Sequence, residues 1–295
     1  MRFGAIDELP IELLIDGDVI AFTAASAAQH TKEDRFGFIT EFANKIEGES
    51  IVDNMMIGLQ QLLNGRKQQV LLSCPAEENF RLDIWPEYKA VRKALRRPLL
   101  LPHLRQYLRD NYGAVHWDNL EADDALGILS SEGSTEYKRI ICGKDKDFKT
   151  VPGFYHRLKD LDARGHPVVN EITPWEAMRF HIFQTLKGDM TDGYPGCPGL
   201  GDKRSQELVD TPVLLVRGDG VITRGPRKGE QTDKWTAEPT NDYWAMIVSH
   251  YRKAGQGEAE ALITARLANI LHADQYNKED GFITLWTPDR ITKAM

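Results

Sequence analysis

Leu13-Leu14-Ile15-Asp16-Gly17-Asp18 runs from an apolar triplet straight into two acids. So short a continuous apolar run reads as a buried strand with acids at its C-terminal end. Gln69 to Ser73 reads the same way and ends before Pro75. Arg139 to Cys142 is a third such run and leads into Gly143-Lys144-Asp145-Lys146-Asp147. Helical spacing of apolar residues lies between them, over Met55 to Leu63, Pro102 to Arg109 and Asp123 to Leu129. Strands alternating with helices predict an α/β fold with a mainly parallel sheet. Ligands of such sheets bind beyond the C-terminal ends of the strands, where Asp16, Asp145 and Asp147 fall.

Composition narrows the field. The 295 residues allow one large domain or two small ones, and 41% hydrophobic content suffices for a sizeable core. The most apolar early stretch, Ile11 to Ala28, is broken by Glu12, Asp16 and Asp18. No run approaches the roughly 20 apolar residues of a membrane span, and the N-terminus lacks the pattern of a signal peptide. Cys74, Cys142 and Cys197 are odd in number and far apart, as expected of reduced cytoplasmic thiols rather than disulfides or a zinc site. Net charge is −7, yet the stretch from Arg81 to Arg109 carries eight bases against Asp83 and Glu87, a net +6. A basic block in an acidic chain is a candidate phosphate-binding surface, and a solvated helix face is the plainer alternative.

In the C-terminal half, Thr173-Pro174-Trp175-Glu176 starts a helix: a cap, a proline at the first position and a glutamate three residues on. The helix should run to about Leu186 and stop at Gly188. Gly193 to Gly201 is too rich in glycine and proline for anything but tight turns. A helix follows over Asp202 to Val209, then two more near Asp242 to Lys253 and Glu258 to Leu271, and a terminal strand at Phe282 to Trp286. The polar stretch from Arg217 to Lys234 reads as a mobile loop.

Four separated segments carry acids at the ends of apolar elements: Asp16; Glu121, Asp123 and Asp124; Asp145 and Asp147; Asp189 and Asp192. Glu121 and Asp124 share a helix face, and Asp145 and Asp147, two apart on an extended segment, point the same way. Each group alone reads as solvated or as helix capping. Together they bear on charge. Two carboxylates about 4 Å apart repel by roughly 4 kcal/mol at an effective dielectric of 20, so a converging set demands protonation or bound cations. Oxygen ligands without histidine or cysteine suit Mg²⁺ or Mn²⁺, and a pair of such ions activates water against a phosphodiester.

The pattern resembles the flap endonuclease, or 5′-nuclease, superfamily, and within it the 5′→3′ exonucleases of T-seven-like short-tailed phages. The resemblance extends from Leu14-Ile15-Asp16-Gly17-Asp18 to Thr284-Leu285-Trp286. It is most specific in Lys144-Asp145-Lys146-Asp147-Phe148-Lys149-Thr150-Val151-Pro152 and in residues 183–194, Phe183 through Gly188-Asp189-Met190-Thr191-Asp192-Gly193-Tyr194. It implies a twisted, mainly parallel sheet flanked by helices, of PIN-like fold, with a helical arch over about 81–109 and a helix–two-turn–helix over about 181–210. The nuclease core would span 1–180 and the helical remainder 181–295, packed as one domain. The implied metal ligands are Asp16, Glu121, Asp123, Asp124, Asp145, Asp147, Asp189 and Asp192, holding two Mg²⁺ ions, with Mn²⁺ as a substitute. Asp16, Asp124, Asp145, Lys89 and Arg92 would serve catalysis, and Asp18 would lie behind the ligands.

The resemblance also assigns DNA contacts. Tyr88-Lys89-Ala90-Val91-Arg92 matches the basic motif at the base of the arch, so Lys89 and Arg92 are expected on the scissile phosphate, with Lys93 beside them and Tyr88 stacked on a terminal base or packed in the core. Gly196 to Gly201 and Asp202-Lys203-Arg204 match the helix–two-turn–helix. There Gly199, Gly201, Lys203 and Arg204 are expected to hold duplex phosphates, with K⁺ in the turn. One departure stands out: where relatives carry another aspartate, before Asn79-Phe80-Arg81, this chain has Ala76 followed by Glu77 and Glu78, and Glu77 is the expected partial substitute.

The implied activity is metal-dependent 5′→3′ hydrolysis of duplex DNA from 5′ ends, leaving 5′-phosphates, with RNA–DNA hybrids a second substrate. A phage role in replication, recombination and host DNA breakdown follows, by a cytoplasmic monomer. A structure-specific flap endonuclease is the alternative enzyme, and a catalytically impaired DNA-binding protein is the alternative outside enzymes. An RNA-directed PIN nuclease fits poorly, lacking the glycine-rich turn after Asp192.

Overall fold

A computed structural model describes residues 9–295. The chain forms two compact units. The first runs to Leu82, resumes over Ala94–Pro174 and closes with Ile270–Thr284; the second comprises Asp83–Lys93, Trp175–Asn269 and Leu285–Met295.

The first unit opens with β1 (Ile11–Asp16), α1 (Gly17–Ala27), a hairpin of β2 (Gln29–Glu33) and β3 (Ile39–Ala43), α2 (Lys45–Leu62) and β4 (Gly65–Leu71). A short turn of helix, α3 (Arg81–Ile84), precedes α4 (Leu101–Tyr112), α5 (Ala122–Glu132), β5 (Lys138–Gly143), β6 (Gly153–Arg157) and β7 (Asn170–Ile172). The sheet order is β4-β1-β5-β6-β7, parallel throughout except for β7. The three strands expected from the apolar runs are thus neighbours, with Ile15 beside Val70 on one side and Cys142 on the other.

Alternation along β1 fills both faces. Leu13 and Ile15 pack with Ile20, Met56 and Leu104 on one side, and Leu14 packs with Leu126, Ile141 and Phe148 on the other. Gly17 lets the chain turn from β1 into α1 against β4, since a Cβ there would lie 2.8 Å from the Leu71 carbonyl oxygen. Part of the stretch expected as an arch belongs to this core: α4 buries Leu104 and Leu108 against α1 and α2.

The second unit contains α6 (Pro174–Lys187), α7 (Asp202–Asp210), a hairpin of β8 (Val213–Val221) and β9 (Gln231–Pro239), α8 (Tyr243–Lys253), α9 (Glu258–Ala268) and α10 (Asp289–Ala294). Its core joins Ile182, Leu186, Leu208, Met246, Tyr251 and Trp286. Two glycines, Gly188 at φ +75 and Gly196 at φ +67, let the backbones at the two turns cross; a Cβ on either would meet the other's amide nitrogen at 2.3 Å.

Two expectations are corrected. The stretch from Arg217 to Lys234 is not a loop but the outer half of the β8–β9 ladder, closed by a turn at 222–230. Phe282 to Trp286 forms no strand; Ile283 makes one bridge to Tyr276, and Trp286 is buried in the second unit's core. All three cysteines are buried and free. Among the described residues no helix is long and apolar enough to cross a membrane.

Candidate active site

The acids of the first unit meet at the C-terminal edge of the sheet. Asp16 ends β1, caps α1 by accepting from the Val19 amide at 3.1 Å, and is 4% exposed. Asp145 follows β5 and caps a tight turn by accepting from the Asp147 amide at 2.9 Å. The pair is therefore not the extended one expected: Asp147 sits within the 3₁₀ turn over Lys146–Thr150. Glu121 is the cap of α5, with Asp123 and Asp124 in its first turn.

Charge reports their convergence. Burial, and then the charges of Asp18 and Asp145, push the Asp16 carboxyl up to about 7, against the pull of the Val19 amide. Burial also raises the Tyr155 phenol, and the charges of Asp145, Asp123 and Asp16 raise it further. Tyr155 in turn donates to the Asp145 carbonyl at 2.8 Å. On the side of β4, burial followed by Glu121, Glu78 and Asp124 pushes the Cys74 thiol up to about 12. Of the two glutamates after Ala76, Glu78 is thus the one felt beside Glu121, whereas Glu77 was the expected substitute; both are exposed.

Asp18 stands behind this group as expected. It accepts from the Ser73 amide at 2.8 Å and pairs with Arg105 at 3.2 Å, tying the start of α1 to the ends of β4 and α4.

Asp124, expected as a ligand, is engaged by protein partners. It is fully buried and holds Arg81 by two hydrogen bonds of 2.6 and 2.8 Å, while the Leu271 amide donates to it at 3.1 Å. Arg81 itself is 2% exposed. The sequence places it in the basic block expected as a phosphate-binding surface. The signal that sets it apart is its place between Phe80 and Leu82, eight residues before the next base. Much of that block is tied to acids: Arg105 to Asp18, Arg96 to Glu41 and Arg92 to Asp192.

In the second unit the basic motif meets the last acid segment. Asp192 accepts from Arg92, faces the Lys89 ammonium at 3.7 Å and lies 3.5 Å from the Tyr88 hydroxyl. The Lys89 amide donates to the Asp192 carbonyl at 2.8 Å. Gly193 permits this approach, since a Cβ there would come within 3.0 Å of the Glu87 carbonyl oxygen. Tyr88 is 6% exposed with the Lys89 ammonium 5.0 Å from its ring centre, so it packs rather than offering its ring to a base. Asp189 accepts from the Thr191 amide at 2.8 Å, which shapes the same turn. The side chain of Lys93 lies outside the described residues.

The turns after α6 leave their backbone open. Gly199 has φ +82, Gly201 caps α7, and space is open around both. Lys203 and Arg204 are exposed in the first turn of α7. Amides at a helix N-terminus with no side chains over them favour a phosphate.

The donor set suits a hard divalent cation, being all oxygen and containing an acid, Asp16, whose ionisation burial and neighbouring carboxylates oppose. Among the described residues, no three acids, histidines or cysteines stand close enough to hold an ion as they are. Magnesium asks for less, since it keeps several waters and takes one or two carboxylates plus substrate phosphates.

Comparison with known proteins agrees. Residues 12–156 match the family described as 5′-3′ exonuclease, N-terminal resolvase-like domain. The exodeoxyribonuclease of Enterobacteria phage T3 is 31% identical over 289 residues, covering 94% of this chain and 92% of that protein. The exonuclease of Escherichia phage T7 is 30% identical over 291 residues, covering 94% and 93%. A T5 protein co-crystallised with metal ions shares the fold, with a TM-score of 0.54 at 16% identity over 88% of this chain and 89% of that one. With this identity sustained along nearly its whole length, the chain belongs to the 5′-3′ exonuclease family.

Proposed function

We propose that this exonuclease removes nucleotides from the 5′ ends of duplex DNA with the help of Mg²⁺, leaving 5′-phosphate products. The observation that carries the reading is the meeting of Asp16, Asp123 and Asp145, from three separate segments, around Tyr155 at one edge of the sheet, with burial and the charges of Asp18 and Asp145 raising the Asp16 carboxyl. Glu121, Asp123, Asp145, Asp147 and Asp16 would hold cations there; the family resemblance names Asp189 and Asp192 as ligands as well. When bound, the ions supply an activated water and a counter-charge for the leaving oxygen.

The chain's own groups do the rest. Lys89 and Arg92 would transfer from Asp192 to the phosphate and stabilise charge that grows on it. Glycine-lined turns at Gly199 and Gly201, with Lys203 and Arg204, would grip the duplex through its phosphates. Such contacts fix register without reading bases, so selection is by structure. Mn²⁺ would replace Mg²⁺, K⁺ would occupy the turn, and RNA–DNA hybrids would also be cut. We place the activity in the cytoplasm of a phage-infected bacterium, by a monomer, serving replication, recombination and host DNA breakdown; the phage source of the two similar exonucleases supports the phage setting.

The test is digestion of a 5′-labelled and a 3′-labelled blunt duplex with Mg²⁺ and with chelator. Mononucleotides released from the 5′ end only with Mg²⁺ are expected. Products cut only at a branched 5′ flap would favour the flap endonuclease instead, and binding without hydrolysis would favour a DNA-binding protein.

A further inference from the structure

We propose that Asp124 is not a ligand of the cation but the fixed counter-charge of Arg81, so that the buried pair brings no net charge to the metal's side. The proposal rests on the reading that this acid group takes divalent cations.

A carboxylate has about four acceptor positions. On Asp124 all four are used. Oδ1 accepts from Arg81 Nη2 at 2.8 Å and from the Leu271 amide at 3.1 Å. Oδ2 accepts from Arg81 Nη1 at 2.6 Å and from the Glu121 amide at 3.4 Å. With no exposed surface, Asp124 cannot turn to a cation without breaking the bidentate pair and leaving the Arg81 charge buried and uncompensated.

Arg81 is held from several sides. Its amide donates to Asn79 Oδ1 at 2.9 Å, and its guanidinium lies 4.6 Å from the centre of the Phe80 ring. The same Nη1 that binds Asp124 reaches Glu121 Oε2 at 3.4 Å. Glu121 keeps 14% of its side chain exposed, whereas Asp124 keeps none.

The two roles for Asp124 give opposite patterns. If Arg81 and Asp124 cancel, removing the base adds a negative charge beside the ion, and removing the acid adds a positive one. Mn²⁺ affinity of the full chain, measured by calorimetry without DNA, separates them. Asp124→Asn should weaken Mn²⁺ binding by about 10-fold or more, Arg81→Gln should tighten it, and the double variant should return to within about threefold of wild type. A double variant as weak as Asp124→Asn alone makes Asp124 a ligand and overturns the proposal, as does equal weakening in all three. Should either single variant fail to fold, the double variant against wild type still decides, because it removes both charges together. Asp16→Asn is the control: binding of Mn²⁺ unchanged by it removes the metal reading itself, and this role with it.

Discussion

Arg92 donates to Asp192, and Lys89 faces the same carboxylate at 3.7 Å. The bases expected on the phosphate are thus already ordered by an acid of their own unit, before any DNA arrives. A phosphate entering this place replaces one anion by another, and little side-chain freedom is lost in doing so.

Lys89→Ala should therefore slow cleavage about 10²- to 10³-fold, while duplex affinity changes by less than about threefold. Single-turnover rates compared with equilibrium binding check this. A rate equal to wild type would discard the assigned role.

Asp145→Asn and Asp147→Asn should each remove hydrolysis and leave duplex binding intact, because both sit at the end of β5 and neither belongs to the second unit's phosphate contacts. Fluorescence anisotropy beside a digestion assay makes the comparison. Equal loss of both properties would mean that these acids shape the fold rather than the chemistry.

Asp16 makes the metal-free protein sensitive to pH. Its folded pKa is about 7 against 3.8 for the ordinary group. A raised acid is fully stabilising below its unfolded value, and the contribution is lost as pH rises through the folded value. In chelator, stability should fall between about pH 4 and pH 8 by ~4 kcal/mol from this group. Millimolar Mg²⁺ should restore much of it at pH 8, and Asp16→Asn should flatten the profile. Melting curves at pH 5, 6.5 and 8 test this; a flat wild-type profile without metal contradicts it.

Lys203→Ala should reduce the slope of log affinity against log salt by about one unit, as expected for one lost phosphate contact. An unchanged slope would take the first turn of α7 out of the duplex contact.

Gly188→Ala and Gly199→Ala separate clash from strain. Both glycines have positive φ, +75 and +82, but only at Gly188 would a Cβ strike backbone, at 2.3 Å from the Gly196 nitrogen. Gly199→Ala should cost roughly 1–2 kcal/mol and Gly188→Ala clearly more, by denaturant titration. Similar losses at both would show that the turns open easily.

The core of the fold was readable because buried parallel strands leave a plain trace: three apolar runs, at Leu13, Gln69 and Arg139, became adjacent strands. The turns at Gly193 to Gly201 and the flanking helices were legible from glycine and proline. The β8–β9 hairpin was not, because it is largely exposed on both faces and its Arg, Lys and Gly residues carry no alternation. Phe282 to Trp286 misled for the opposite reason, since Trp286 is apolar for packing against helices and not for a ladder. In the site, the position of acids after apolar runs foretold that Asp16 and Asp145 lie at the sheet edge, but not which acid an arginine already holds. Arg81 finds Asp124 forty-three residues away, and no local pattern records that pairing.

The amide of Leu271 on Asp124 has a practical consequence. Segment 270–284 runs along α5, with the Ala273 amide on Ser131 and Lys278 on Glu132. Residues 12–156, the portion that defines the family, thus do not contain everything that seals their own acidic edge. A fragment trimmed to those boundaries would unseat the carboxylate that Arg81 grips, so a minimal nuclease cannot be made by truncation and would need this distant strap spliced back in.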